Sequence, residues 1–98
     1  MARSRLDLQA LLEGITGNVY FQPPNVLQYP CIKYERDGSR KEYAGNKPYQ
    51  HAKRYSVTVI DRNPDSTLPD LVEELEFCAL DRAFQESGLN HWVFTLFF

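Results

Sequence analysis

A handful of side chains in this 98-residue sequence could do chemistry: Cys31 and Cys78, His51 and His91, and Asp61, Asp65 and Asp81. A nucleophilic cysteine needs a neighbour that favours its thiolate, and a zinc site needs closely spaced Cys and His pairs. Neither cysteine has a C-x-x-C partner, and neither histidine stands at ligand spacing from a cysteine or carboxylate. The two thiols sit in apolar-flanked strand-like stretches and are expected to be reduced core residues. Asp61, Asp65 and Asp81 could together offer oxygen ligands to a hard cation. Asp61 and Asp65, however, bracket Asn63-Pro64, where aspartates accept backbone hydrogen bonds in a turn, and turn capping is the simpler expectation. His91, beside Trp92, is expected to make one hydrogen bond at a strand start. The sequence has no glycine-rich phosphate loop, no H-E-x-x-H and no G-x-S-x-G. No catalytic, cofactor-binding or metal-binding residues are therefore expected, and the protein is read as not an enzyme.

The elements that would position these residues are legible from periodicity. Leu8, Leu11, Leu12 and Ile15 recur at helical spacing, which predicts a helix from Ser4 to Glu13 with Ser4 as N-cap and Asp7 answering it. Gly14 and Gly17 end it. Short strands follow at 18–22, stopped by Pro23-Pro24, and at 29–35, entered through Pro30. Arg36 to Ala52 is a long polar connection with Gly38, Gly45 and Pro48. Tyr55, Val57 and Val59 then alternate with Ser56, Thr58 and Ile60, a strand packed on one face. It runs through the turn 61–66 straight into a second helix, with Thr67 expected as N-cap and Leu68, Leu71, Val72 and Leu75 as its buried stripe. Two strands, 77–85 and 89–98, close the chain around Glu86-Ser-Gly88. In the last strand Trp92, Phe94, Leu96 and Phe98 share one face, and the other face is largely apolar too. Such a strand is central in a covered sheet or buried by another subunit, because as a bare edge it would aggregate. The expectation is a single α+β domain: an antiparallel β-sheet with two α-helices packed on one side, in the order helix, strand, strand, long arm, strand, helix, strand, strand.

Charge is uneven along the chain. The net charge of −2 argues against general nucleic-acid binding. Yet Arg36 to Arg54 carries six basic residues against two acidic, a net of +4, while Asp61 to Glu86 carries eight acidic residues against two basic, a net of −6. A chain divided in this way could pair head to tail with copies of itself. Tyr43 and Tyr49 interleave with the basic residues, a pattern that also suits nucleic acid; the acidic whole favours a partner protein. The first residues lack the apolar run of a secretion signal, and no segment approaches membrane-spanning length. A soluble protein made in a cytoplasm, with no membrane partner, is expected.

Three stretches carry a family likeness: Asn18-Val-Tyr-Phe-Gln-Pro-Pro24, Arg54-Tyr-Ser-Val-Thr-Val-Ile-Asp-Arg-Asn-Pro-Asp-Ser66 and Leu89-Asn-His-Trp-Val-Phe-Thr-Leu-Phe-Phe98. With the order of elements, they make the chain resemble small neck proteins of long-tailed bacteriophages, of the tail-terminator or tail-completion type. The likeness covers nearly the whole chain, with the arm at about 36–53 protruding from the domain. It implies a structural virion protein, assembled in the host bacterial cytoplasm and usually forming a hexameric ring. Such a ring caps the tail-tube protein and presents a docking surface to the head-completion or connector protein. DNA would pass through its lumen without specific binding, and no cofactor is implied. The subunit and partner contacts expected on this basis are Arg36, Arg40, Lys41, Tyr43, Lys47, Tyr49, Lys53 and Arg54 on the basic side. Asp70, Glu73 and Glu74 answer them on the acidic side, with Phe97 and Phe98 on the last strand. Two rival readings stand beside it. One is another neck component, a head-completion or head–tail joining protein. The other is a small hydrolase or nucleic-acid-binding module using His51 and the basic arm.

Overall fold

Alternation of β-branched and polar residues around Val57 and Val59 makes a strand, and in the computed structural model that strand is the middle one of the sheet. The structure describes residues 4–22, 27–36 and 54–98. Within them the chain forms α1 (Arg5–Glu13), β1 (Val19–Phe21), β2 (Cys31–Arg36), β3 (Arg54–Asp61), α2 (Leu68–Glu73), β4 (Cys78–Glu86) and β5 (Leu89–Phe97). The result is a small α+β domain with two helices and one five-stranded sheet, ordered β1-β2-β3-β5-β4. Apart from Arg36 and Arg54, the basic stretch lies outside the described residues.

The expectation of a wholly antiparallel sheet is corrected: β1 pairs parallel with β2, and the sheet is mixed. Pro23-Pro24 directly after β1 rules out a tight hairpin there, because neither proline can donate to a ladder. The parallel register instead sets the start of β2 beside the start of β1, with Val19 opposite Ile32 and Phe21 opposite Tyr34. A strand of only three residues spans about 10 Å, so a short return suffices. The parallel register is held at both ends. The Ile32 N–H donates to the Asn18 carbonyl at 2.9 Å, and the Gln22 N–H donates to the Tyr34 carbonyl at 3.2 Å. The Asn18 side-chain amide adds a bond to the Pro30 carbonyl at 3.1 Å.

Cross-strand register puts Ile32, Tyr34, Tyr55, Val57, Val59, Phe94 and Leu96 on one face of the sheet, and that face carries the core. Both helices close over it. Leu8 and Leu12 of α1 and Val72 of α2 are fully buried there, while Ile15, Leu68 and Leu75 pack at its margin. Leu11 and Leu71, expected in the buried stripes, are each 41% exposed. Only one edge of each apolar stripe reaches the sheet. The opposite sheet face holds Cys31, Thr58, Ile60 and Val93, also buried. β5 lies between β3 and β4, so the apolar C-terminal strand is an interior strand and not an edge.

Local chemistry sets the element ends. Ser4 and Asp7 form the full capping box of α1, the Ser4 Oγ accepting from the Asp7 N–H and Asp7 Oδ2 accepting from the Ser4 N–H, each at 3.2 Å. At α2 the N-cap residue is Thr67, as expected, but it makes no side-chain cap. Its backbone angles are αR, and the side-chain oxygen that accepts from the Leu68 N–H, at 3.2 Å, is Ser66 Oγ. β4 and β5 join through Ser87-Gly88, with φ of 55° and 76°. Two successive positive φ values define the tight I′ turn that matches strand twist. β4 is bulged at Asp81: Leu80 stands opposite Phe94 and Arg82 opposite Val93. Leu80 therefore faces the core side, while Arg82 and Phe84 face the other.

Candidate interaction surface

The residues that could have done chemistry are kept apart by this fold. Cys31 is buried in β2 on the sheet face opposite α1 and α2, Cys78 is half-buried on the core side of β4, and both are free thiols. Burial pushes each thiol up to about 11; Lys33 partly offsets this at Cys31, and Glu73 adds to it at Cys78. Both are therefore poor nucleophiles near neutral pH. His91 Nδ1 lies 3.2 Å from the Leu89 carbonyl, and its ring stacks on Phe84 with centroids 4.6 Å apart. That is one polar contact at the strand start, as expected, plus a cross-strand stacking partner that alternation alone did not indicate. His51 lies outside the described residues.

Turn 61–66 is built as a relay of side-chain caps. Asp61 Oδ1 accepts from the Asn63 N–H at 3.0 Å, and Asn63 Oδ1 accepts from the Asp65 N–H at 2.9 Å. Asp61 thus caps the turn as expected, while the second cap comes from Asn63 and not from Asp65. The Asn90 amide donates to the carbonyls of Asp61 and Arg62, each at 3.3 Å, tying the turn to the β4–β5 hairpin. Asp61, Asp65 and Asp81 are not gathered into one site, since among the described residues no group of three or more His, Cys, Asp or Glu is placed to hold a metal ion.

What the fold does bring together is charge. Because α1 and α2 cover the same face, their outward carboxylates form one acidic layer: Asp7, Glu13, Asp70, Glu73, Glu74 and Glu76, all exposed. Across residues 4–15 and 67–77 the only basic residue is Arg5, giving a net of −5. Arg5 is already engaged, donating to the Tyr34 hydroxyl at 3.1 Å and lying 4.3 Å from the centroid of the Phe21 ring. Between the helices runs a groove of about 210 Å³. Leu8, Leu11, Leu75, Leu96 and Phe98 supply its apolar lining, and Glu74 and Glu76 its carboxylates. Phe77, directly after Glu76, is 68% exposed.

The residues expected at an interface are distributed as follows. Asp70, Glu73 and Glu74 are exposed on α2, where a partner can reach them. Arg36 is exposed at the end of β2, with its guanidinium 5.9 Å from the Tyr55 ring centroid. Arg54 is half-buried at the start of β3, opposite Phe97 on the sheet face away from α1 and α2. Phe98 is 6% exposed and packs in the protein's own core beneath the groove. Phe97 is half-buried, its N–H donating to the Phe77 carbonyl at 3.1 Å. Arg40, Lys41, Tyr43, Lys47, Tyr49 and Lys53 lie outside the described residues. Missed by the sequence reading were Asp7, Glu13, Leu11 and Phe77. The signal for the first three was the pairing of two amphipathic helices with acidic outer faces, which become one surface once they share a side of the sheet.

Fold and surface together define a small α+β domain with an acidic, grooved helical layer. No family model matches the chain, and no curated protein or solved structure matches it either. No helix is long and apolar enough to cross a membrane, among the described residues.

Proposed function

We propose that this chain is a structural subunit of a phage neck, of the tail-terminator or tail-completion type, acting by assembly and not by catalysis. The observation that carries the reading is the segregation of charge. An acidic helical layer of net −5 sits on one side of the domain, and a basic stretch of net +4 joins β2 to β3. Complementary patches at different places on one subunit make a heterologous contact, and such contacts close into rings when the rotation allows. In this reading the domain is the ring body and the stretch at about 36–53 is the arm that reaches the next subunit. The ring, hexameric in proteins of this type, ends on the tail-tube protein and offers its other side to the head connector.

Micrographs of particles made without this chain test the role directly. Overlong tails are the expected result. Tails of normal length that fail to join heads would assign the chain to head–tail joining instead, and finished infectious particles would remove it from the neck altogether.

A further inference from the structure

We infer that the groove between α1 and α2 is a socket for a second copy of this chain, which enters it with the basic, tyrosine-bearing stretch between Arg36 and Arg54. The inference rests on the assembly reading above and sharpens it from a charged face to a defined site. An acidic face alone would attract any cation. This face also has an apolar wall: Leu11, 41% exposed, and half-buried Leu75 line the groove above the buried Leu8, Leu96 and Phe98. Its occupant must therefore pair an apolar anchor with flanking positive charge. The same sequence holds such a segment: Tyr43 and Tyr49 stand among Arg40, Lys41, Lys47 and Lys53. Tyrosine suits the site, since its ring can cover Leu11 and Leu75 while its hydroxyl reaches a carboxylate at the rim.

Two further features agree. Phe77 follows the groove carboxylate Glu76 and is held at φ 58°, a conformation bulky residues rarely adopt, with its ring 68% exposed. A large aromatic kept outside the protein's own core in a disfavoured backbone state extends the apolar area available to a partner. Arg5 is committed to Tyr34 and Phe21, so the acidic layer's own cation is drawn towards the sheet. Because the socket and the basic stretch are different surfaces of one subunit, docking runs head to tail.

A charge exchange in the full chain, read by native mass spectrometry at low ionic strength, tests this. E74K/E76K alters two exposed groove residues, and R40E/K41E alters the basic stretch. Each variant alone is expected to self-associate about tenfold more weakly than the parent, from like-charge repulsion at the contact. Mixing the two variants in equal amounts restores association, because acidic socket then meets basic stretch and basic socket meets acidic stretch. L11D, at an exposed wall of the groove, weakens association without recovery on mixing with E74K/E76K, whose socket is damaged too, whereas with R40E/K41E its intact basic stretch meets an intact socket and association returns in part. Association of E74K/E76K at parental strength overturns the socket, as does failure of the mixture to recover. A parent chain that remains monomeric at about 100 µM, far above the range of specific contacts, overturns it too. If R40E/K41E abolishes assembly while E74K/E76K does not, the socket falls and the ring stands; the ring itself is judged by tail length.

Discussion

Tyr34 does more than fill space. Its ring is buried against Phe21 and Tyr55, with centroids 5.1 and 6.0 Å away, while its hydroxyl accepts from Arg5 and donates to Gln9 Oε1. It thus fastens α1 to the sheet. Tyr34→Phe keeps the ring and is expected to cost about 1 kcal/mol in urea unfolding, the usual net worth of such hydrogen bonds. Tyr34→Ala adds a core cavity and should cost about 3–5 kcal/mol. Cys31 gives a pH signature. Burial raises its thiol from the ordinary 9.0 to about 11 in the folded chain. A group whose folded pKa is raised adds stability that is complete below the unfolded value and is lost as pH climbs through the folded one. The urea midpoint should therefore fall between about pH 9 and 11. C31A/C78A should start less stable but show a smaller alkaline loss. Some loss persists, because burial raises the Tyr55 phenol as well. The residue chemistry was largely legible in the sequence for a physical reason: turn caps and apolar-flanked thiols depend on near neighbours along the chain. Asn63 replacing Asp65 as the second cap was not, since both have the required oxygen and only backbone geometry chooses between them.

At the scale of elements, the β4–β5 hairpin shows what determines cost at a turn. A Cβ added at Gly88 would meet nothing within 4 Å, yet its φ is 76°. The penalty for Gly88→Ala is therefore backbone strain alone, about 1–2 kcal/mol in thermal or urea unfolding. Ser87→Asn is expected to stabilise slightly, because Asn tolerates the left-handed region and Asn-Gly is the favoured I′ pair. A hairpin between two apolar runs was readable from Glu86-Ser-Gly88; the bulge at Asp81 was not. Cys78, Leu80, Arg82 and Phe84 look like one face under strict alternation. One extra residue sends Arg82 and Phe84 to the other side, where Phe84 meets His91. The parallel pairing of β1 escaped for a related reason. Periodicity reports which face of a strand is buried and carries no information on its direction. Helix existence followed from spacing, whereas the exposure of Leu11 and Leu71 depends on how each helix is rolled against the sheet.

For the whole molecule, the decisive fact is that two separately modest acidic helices become one layer of net −5 by sharing a sheet face, with an apolar groove between them. The linear charge tally counted only α2 and its surroundings, because the contribution of α1 depends on tertiary placement. A contact made of both terms should respond to salt in two opposed ways. Sodium chloride shortens the screening length from about 10 Å at 0.1 M to about 3 Å at 1 M, weakening attraction between exposed charges. Self-association of the parent chain, followed by sedimentation, is accordingly expected to fall steeply over that range. Ammonium sulfate screens as well, but sulfate is excluded from protein surfaces and strengthens apolar burial. In sulfate, association should fall at first and then recover as the apolar wall of Leu11 and Leu75 takes over. L11D, which places a charge in that wall, should remove the recovery and leave the initial fall. A parent chain whose association declines in both salts without recovery would mean a contact between charged faces with no anchor in the groove. One indifferent to sodium chloride would mean that the segregated charge has no part in assembly.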